Sequence, residues 1–236
     1  MAGAMDRAGS PIGDGIYTLS EVARLTGSHY QRIHSWFLGR SEGPGPILDR
    51  AQLRQKRDLL RPRVDLTVSF HSLIDALVVS KLREYGVSLQ YLRKVYNALS
   101  EQFSQQHPFS QSNLYTDGKE VFVRFADKFG YEALMELLTN QQSFPPVLED
   151  YLTQIDYDED TLLAIRWRIA EGIVIDPRRR YGKPIVATCG VPTVILAAAY
   201  KGNDQDVDLV AEWYGVSQLD VTQAVDFEKS LLSEAA

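Results

Sequence analysis

Apolar residues recur at helical spacing in several short runs of the chain, and glycines punctuate the runs. The first run is YTLSEVARLTGSHYQRIHSWF, residues 17–37. Leu19, Val22, Ala23 and Leu25 form the stripe of a short amphipathic helix. Thr18 and Glu21 are spaced as a capping box, and Gly27 can supply the positive φ of a tight exit. Ser28 and Gln31 repeat the capping spacing, which predicts a second helix from His29 to Gly39. Ile33, Trp36 and Phe37 would face inward on it, leaving Tyr30, Gln31, Arg32, His34 and Ser35 largely outward.

Glycines and prolines in GPGPILDRAQLRQKRDLLRPRVDL predict a loop followed by a basic segment carrying Arg54, Lys56, Arg57 and Arg61. That segment reads either as a small wing hairpin or as a solvated basic helix. A helical hairpin follows, with Leu73, Ile74, Leu77, Val78 and Leu82 on one helix and a break at Gly86. Ser88 caps its partner, which turns Leu89, Leu92, Val95, Tyr96 and Leu99 inward. Further on, Asp117-Gly118 signals a β-hairpin, residues 129–140 a helix, and Phe144-Pro145-Pro146 a loop. Alternation at Leu163, Ile165, Trp167 and Ile169 predicts a strand, preceded by a solvated acidic turn at Asp156, Asp158, Glu159 and Asp160. That turn lacks the glycine and the terminal glutamate of an EF-hand loop, so no metal site is expected there.

The C-terminal part predicts a strand ending at Val174-Ile175-Asp176-Pro177, an exposed basic turn at Arg178, Arg179 and Arg180, and a second turn at Gly182-Lys183-Pro184 before a short apolar strand. A helix starting at Pro192 would bury Val194, Ile195, Ala198 and Ala199. A helix–glycine–helix unit closes the chain. Leu209, Val210 and Trp213 precede Gly215, and Leu219, Val221, Ala224, Val225 and Phe227 follow it. Val22-Ala23 then Gly27 thus recurs as Val210-Ala211 then Gly215. The second unit carries Asp220, Asp226 and Glu228, which would repel phosphate and suit protein contact instead.

The expected fold is therefore mainly α with short β hairpins (α+β). A winged-helix-like helix-turn-helix stands at the N-terminal end and a small helical, helix-turn-helix-like domain at the C-terminal end. The expected division is a flexible tail over 1–14, a DNA-binding domain over 15–104, a connecting region over 105–160 and a C-terminal domain over 161–236.

Charge sharpens this picture. The 236 residues hold 25 Lys+Arg against 31 Asp+Glu, a net charge of -6. Residues 17–63 alone carry nine basic and four acidic side chains, net +5, which leaves −11 for the rest. A basic module on an acidic body suits a nucleic-acid binder, because phosphate attraction acts over about 10 Å at physiological salt. A lone cysteine, Cys189, excludes an intrachain disulfide and a cysteine-built zinc site, and it reads as a small core residue. His29, His34, His71 and His107 do not pair at ligand spacing, and no phosphate loop, nucleophile elbow or dinucleotide glycine pattern occurs. Neither an enzyme nor a cofactor is expected. The longest apolar run, 191–200, is too short to span a bilayer and the first residues lack a signal-peptide pattern, so a soluble, cytoplasmic protein is expected.

On the predicted second helix, Arg32 can fork onto guanine and Gln31 can pair with adenine, while Tyr30 and Ser35 hold phosphates. The same spacing also fits a plain helical hairpin with a solvated polar face. The run from Tyr17 to Gly27 together with LREYGVSLQYLRKV resembles the MerR-type winged helix-turn-helix over residues 15–104. It departs from that type in the second helix, which lacks the usual paired tyrosines. Ile175-Asp176-Pro177, residues 182–186, Val191-Pro192-Thr193 and DLVAEWYGVSQLDVTQAVDFE resemble a small bacterial domain of antitoxin-like proteins, over residues 172–230. The two together make the whole chain similar to the VapB45-like antitoxin family. Thr188-Cys189-Gly190 stands where Gly-Thr-Arg is usual.

The resemblance implies a type II antitoxin that neutralises a PIN-domain ribonuclease and represses its own operon as a homodimer on a palindromic operator. It also implies contact between the toxin's metal-binding carboxylates and a basic group, for which Arg178, Arg179 and Arg180 are candidates, although a solvated turn is the simpler reading of these three. The alternative is a MerR-like one-component regulator whose C-terminal half senses a small molecule in an apolar pocket.

Overall fold

The computed structural model describes residues 14–39, 45–48, 54–57, 64–84, 86–103, 106–114 and 151–233. The expected hairpin at Asp117-Gly118, the helix over 129–140 and the loop at Phe144-Pro145-Pro146 lie outside these, as does Arg61. The fold is α+β, as the sequence predicts.

The chain enters through β1 (Tyr17–Thr18) and turns directly into α1 (Leu19–Leu25). The predicted capping box is present: the Glu21 amide donates to Thr18 Oγ1, and the Thr18 amide donates to Glu21 Oε2 at 2.8 Å. Gly27, at φ 64°, turns the chain into α2 (Tyr30–Leu38). Here the cap differs from expectation. Ser28 does not cap, because its hydroxyl lies 2.5 Å from that of Ser80 on the following helix. His29 caps instead, its Nδ1 accepting from the Gln31 amide. Both arrangements satisfy the Gln31 amide, but this one also ties the turn to its neighbour.

β2 (Arg54–Arg57) and β3 (Val64–Val68) pair antiparallel, so the described part of the basic segment is a strand and not a helix. β3 sits between β1 and β2. The helical hairpin of α3 (Phe70–Glu84) and α4 (Leu89–Phe103) follows, and its predicted stripe is buried apart from half-buried Leu89. The C-terminal part is an antiparallel meander, β4 (Ile155–Tyr157), β5 (Ala164–Ala170), β6 (Ile173–Ile175) and β7 (Ile185–Val186), then three helices: α5 (Thr193–Gly202), α6 (Val207–Tyr214) and α7 (Gln218–Ser233).

One buried cluster runs through both ends of the molecule, from Tyr17 and Leu19 to Phe227 and Leu231. Two polar seams hold the ends together. In the first, the Tyr17 hydroxyl donates to the Gly182 carbonyl at 2.9 Å, the Ile16 amide donates to the Tyr181 carbonyl at 3.2 Å, and Lys183 pairs with Glu21. Burial, with Glu21 and Asp176 nearby, pushes the Tyr17 phenol far above its ordinary pKa, so it stays a donor. Glu21 loses hydration there, yet Lys183 and Thr18 outweigh that loss and hold its carboxyl below the usual value.

In the second seam, His71 Nε2 on α3 donates to the Ala164 carbonyl on β5 at 3.0 Å. The His71 and His107 rings lie 5.4 Å apart, and His107 Nδ1 meets buried Asp75 at 2.8 Å. Tyr96 also donates to Asp75. Histidines distant in sequence are thus brought together by folding. Among the described residues no group of three His, Cys, Asp or Glu side chains could hold a metal ion.

Two outcomes follow from the seams. Gly182 has φ +78°, and a Cβ there would stand 2.0 Å from the Tyr17 hydroxyl. Gly182→Ala should therefore destabilise the protein by roughly 1–3 kcal/mol, read as a lowered urea midpoint. His71 is held below its ordinary 6.5 first by burial and then by His107, against the pull of Asp75 and Asp14. A depressed histidine pKa means that the unfolded chain binds the proton more readily. The stability it confers is complete above about pH 6.5 and lost as pH falls toward the folded-state value. His71→Gln should flatten the fall in unfolding free energy between pH 7 and 5, a slope of at most about 1.4 kcal/mol per pH unit for one group.

Candidate nucleic-acid interface and exposed faces

Recognition elements must be rigid beneath and polar above, and α2 meets both conditions. Ile33, Trp36 and Phe37 are buried. The Trp36 carbonyl accepts from the amides of both Ile47 and Leu48, at 2.9 and 3.1 Å, so residues 45–48 strap the end of the helix. Arg93 on α4 secures the strap through the Pro46 and Gly45 carbonyls. Ser80 holds the other end through Ser28 and the Thr26 carbonyl.

Above this base, Tyr30, Gln31 and Arg32 are exposed, while His34 and Ser35 are half-buried. The Tyr30 and His34 rings meet at a tilt, their centroids 5.9 Å apart, and Ser35 Oγ donates to the Arg32 carbonyl. A groove of about 540 Å³ runs beside the helix, lined by Gln31, Arg32, His34, Ser35, Arg83 and Leu89 among others. The fold therefore brings the predicted α2 residues onto one face. It adds Arg83 of α3, which sequence reasoning missed. Its signal was weak, a lone arginine in the last turn of a helix otherwise read for its apolar stripe. Arg54, Lys56 and Arg57 lie on β2, and pairing puts them opposite Thr67, Asp65 and Val64 of β3.

Arg178, Arg179 and Arg180 are exposed, on the turn that the first seam pins against residues 16–17. Arg178 leans on Asp176, its Nε 3.7 Å from the carboxylate, and Arg179 lies against Gly190. Arg180 and Tyr181 both hold left-handed φ, 49° and 56°. Two consecutive non-glycine residues there are costly, and the hydrogen bonds at Tyr181 and Gly182 sustain them.

The C-terminal helices depart from expectation in which faces they bury. On α5 the core contacts come from Thr193 and Leu196, whereas Val194 is 57% and Ile195 43% exposed, and Ala198 is also exposed. The expected face fails at Val194, Ile195 and Ala198 but holds at Ala199, which packs partly buried against the core, because the helix is apolar nearly all round and its periodicity is erased. On α6, Val210 and Ala211 are buried but Trp213 is 60% exposed, and on α7 Leu219 is 64% exposed. Cys189 is exposed as well, on the turn after β7, and is not a core residue. Asp220 is buried: it accepts from Thr188 Oγ1 at 2.5 Å and from the Ser217 amide at 2.9 Å. Burial opposes its charge, but these donors keep its carboxyl below the ordinary value. Glu228 accepts from Thr193 Oγ1 at 2.6 Å and so joins α7 to α5. The acidic turn before β5 is also internally committed. Asp158 Oδ1 accepts from the amides of Asp160 and Thr161, and Asp156 pairs with Arg166 and Arg168.

This architecture joins a polar-faced helix and a two-stranded hairpin through one core to an antiparallel meander and three helices. The chain is 26% identical over 227 residues to the Mycobacterium tuberculosis protein described as "Putative antitoxin VapB45", covering 89% of this chain and 92% of that one. The crystal structure of Rv2018 from Mycobacterium tuberculosis superposes with a TM-score of 0.71 at 26% identity, over 89% of this chain and 97% of that one. No family model matches the sequence. Among the described residues no helix is long and apolar enough to cross a membrane.

Proposed function

We propose that this chain is the antitoxin of a type II toxin–antitoxin pair, binding a PIN-domain ribonuclease and repressing its own operon, and that it has no catalytic activity of its own. The observation that carries the DNA-binding half is the exposed face of α2, rigidly strapped over Ile33, Trp36 and Phe37 beside an arginine-bearing wing strand. The likeness to a protein named as an antitoxin along nearly the whole chain supports the toxin-binding half.

In this reading α1 and α2 act as a helix-turn-helix. Arg32 and Gln31 reach base edges, and Tyr30, His34 and Ser35 fix the helix on the backbone. Arg54, Lys56 and Arg57 of the wing contact flanking phosphates, with Arg83 beside them at the groove. A homodimer would present two such units to the two half-sites of a palindrome. Arg178, Arg179 and Arg180 remain candidates for contact with the toxin. The alternative of a small-molecule sensor is favoured by one observation, a cleft of about 300 Å³ where the α1–α2 turn meets α3, β5 and α7. Its lining includes the Lys81–Glu84 pair, so it is less apolar than a hydrophobic sensor pocket requires.

Arg32→Ala should weaken operator binding roughly 5- to 150-fold and relax sequence preference, as expected for loss of a bidentate base contact. Unchanged affinity in a gel-shift at physiological salt would displace α2 as the reading helix. Co-expression of this chain with the ribonuclease encoded beside it should restore growth and yield a copurifying complex. Toxicity that persists with no complex would remove the antitoxin reading.

A further inference from the structure

The outward surface of α6 and α7 has a composition that the interior of the protein does not explain. On α6, Val210 and Ala211 point to the core. Asp208, Leu209, Glu212 and Trp213 then share the opposite face by helical geometry, and Trp213 is 60% exposed. On α7, the core takes Asp220, Val221, Ala224 and Val225, which leaves Leu219, Thr222 and Asp226 as an outward stripe, with Leu219 64% exposed. Gln218 Nε2 donates to Asp208, so the first turns of the two helices adjoin, and both faces are open to solvent. Tyr214, 40% exposed, borders it.

An exposed tryptophan and leucine, each with most of its surface in water, make an apolar patch of the kind that soluble proteins keep for a partner. Tryptophan and tyrosine are also the side chains that most often dominate binding energy. The charge around the patch selects the partner. From Asn203 to Glu228 the chain has seven acidic residues and no Lys or Arg. Asp204, Asp206, Asp208, Glu212 and Asp226 are exposed. This rim would repel a second copy of itself and any nucleic acid, and it would attract a cationic face.

We propose that this surface docks the cationic, RNA-binding face of the partner ribonuclease, with Trp213 and Leu219 as apolar anchors and the carboxylates of Asp208, Glu212 and Asp226 as an electrostatic collar. An enzyme that acts on RNA must present Lys and Arg to a polyanion, so its substrate face carries the complementary charge. Occupation of that face would exclude RNA by direct competition. The second helix of this unit thus stands where a DNA reader has its recognition helix, but it reads protein. The proposal rests on the antitoxin reading and adds where contact is made.

The test uses the full-length chain and the catalytically inactive form of the ribonuclease encoded beside it, with affinity measured by calorimetry. The Trp213→Asp/Leu219→Asp variant should bind at least about 100-fold more weakly, the scale of losing two hot-spot anchors. Because both side chains are largely exposed, its circular dichroism and Tm should match wild type. The charge-reversed Glu212→Lys/Asp226→Lys variant should bind about tenfold or more weakly at low salt, with the difference shrinking as salt rises. Arg32→Ala should bind the ribonuclease normally. If wild type binds and Trp213→Asp/Leu219→Asp binds equally well, the surface is wrong while the antitoxin reading stands. If wild type does not bind the ribonuclease, both fall. If the variant instead converts a dimer to a monomer in sedimentation while ribonuclease binding is intact, the occupant is a second copy and the proposal is overturned.

Discussion

A buried tyrosine hydroxyl must find an acceptor or forfeit about 1–3 kcal/mol, and for Tyr17 the acceptor is the Gly182 carbonyl, 165 residues away. The rest of the arrangement depends on this contact. Tyr17 begins the short strand that pairs with β3 at the base of the wing, and Thr18 caps α1. The entry to α1 is therefore set by a turn in the last quarter of the chain. The contact also needs a residue without a side chain at Gly182, and it holds Arg180 and Tyr181 in left-handed geometry. Lys183 on Glu21 and His71 on the Ala164 carbonyl extend the same junction.

What the sequence made legible was local. The Thr18–Glu21 capping box, the turn at Gly27 and the inward set of Ile33, Trp36 and Phe37 each depend on spacing within a few residues, and each is present as read. The exposed face of α2 followed from the same periodicity. Long-range features were not legible. Ser28 satisfies cap spacing, but its hydroxyl is taken by Ser80, a partner that spacing cannot reveal. Arg83 reaches the groove beside α2 only because α3 packs there. His71 and His107 looked unrelated until α3 and the segment before Pro108 came together.

The C-terminal helices show a different limit. The sequence predicts its apolar residues there to face inward, as apolar residues usually do, and Val194, Ile195, Trp213 and Leu219 do not. The opposite error concerned the polar side chains. Asp220 and Glu228 count in the sequence only as negative charge, yet both accept hydrogen bonds that join helices and turn. Composition alone cannot separate a carboxylate that caps a helix from one that meets a partner. The two helix–glycine–helix units share backbone logic, including positive φ at Gly27 and Gly215, but differ in what they expose. The first presents Tyr30, Gln31 and Arg32, the second Glu212, Trp213 and Leu219.

The span between Tyr17 and Gly182 also sets an order of events during synthesis. At about 5–20 residues per second, roughly ten to thirty seconds pass on the ribosome between the emergence of one partner and the other. Until then Tyr17 has no acceptor, the Ile16 amide is unpaired and Glu21 lacks its lysine. An incomplete chain thus leaves its first helix without the seating that the finished protein gives it, so nascent and truncated products carry α1 and α2 without their frame.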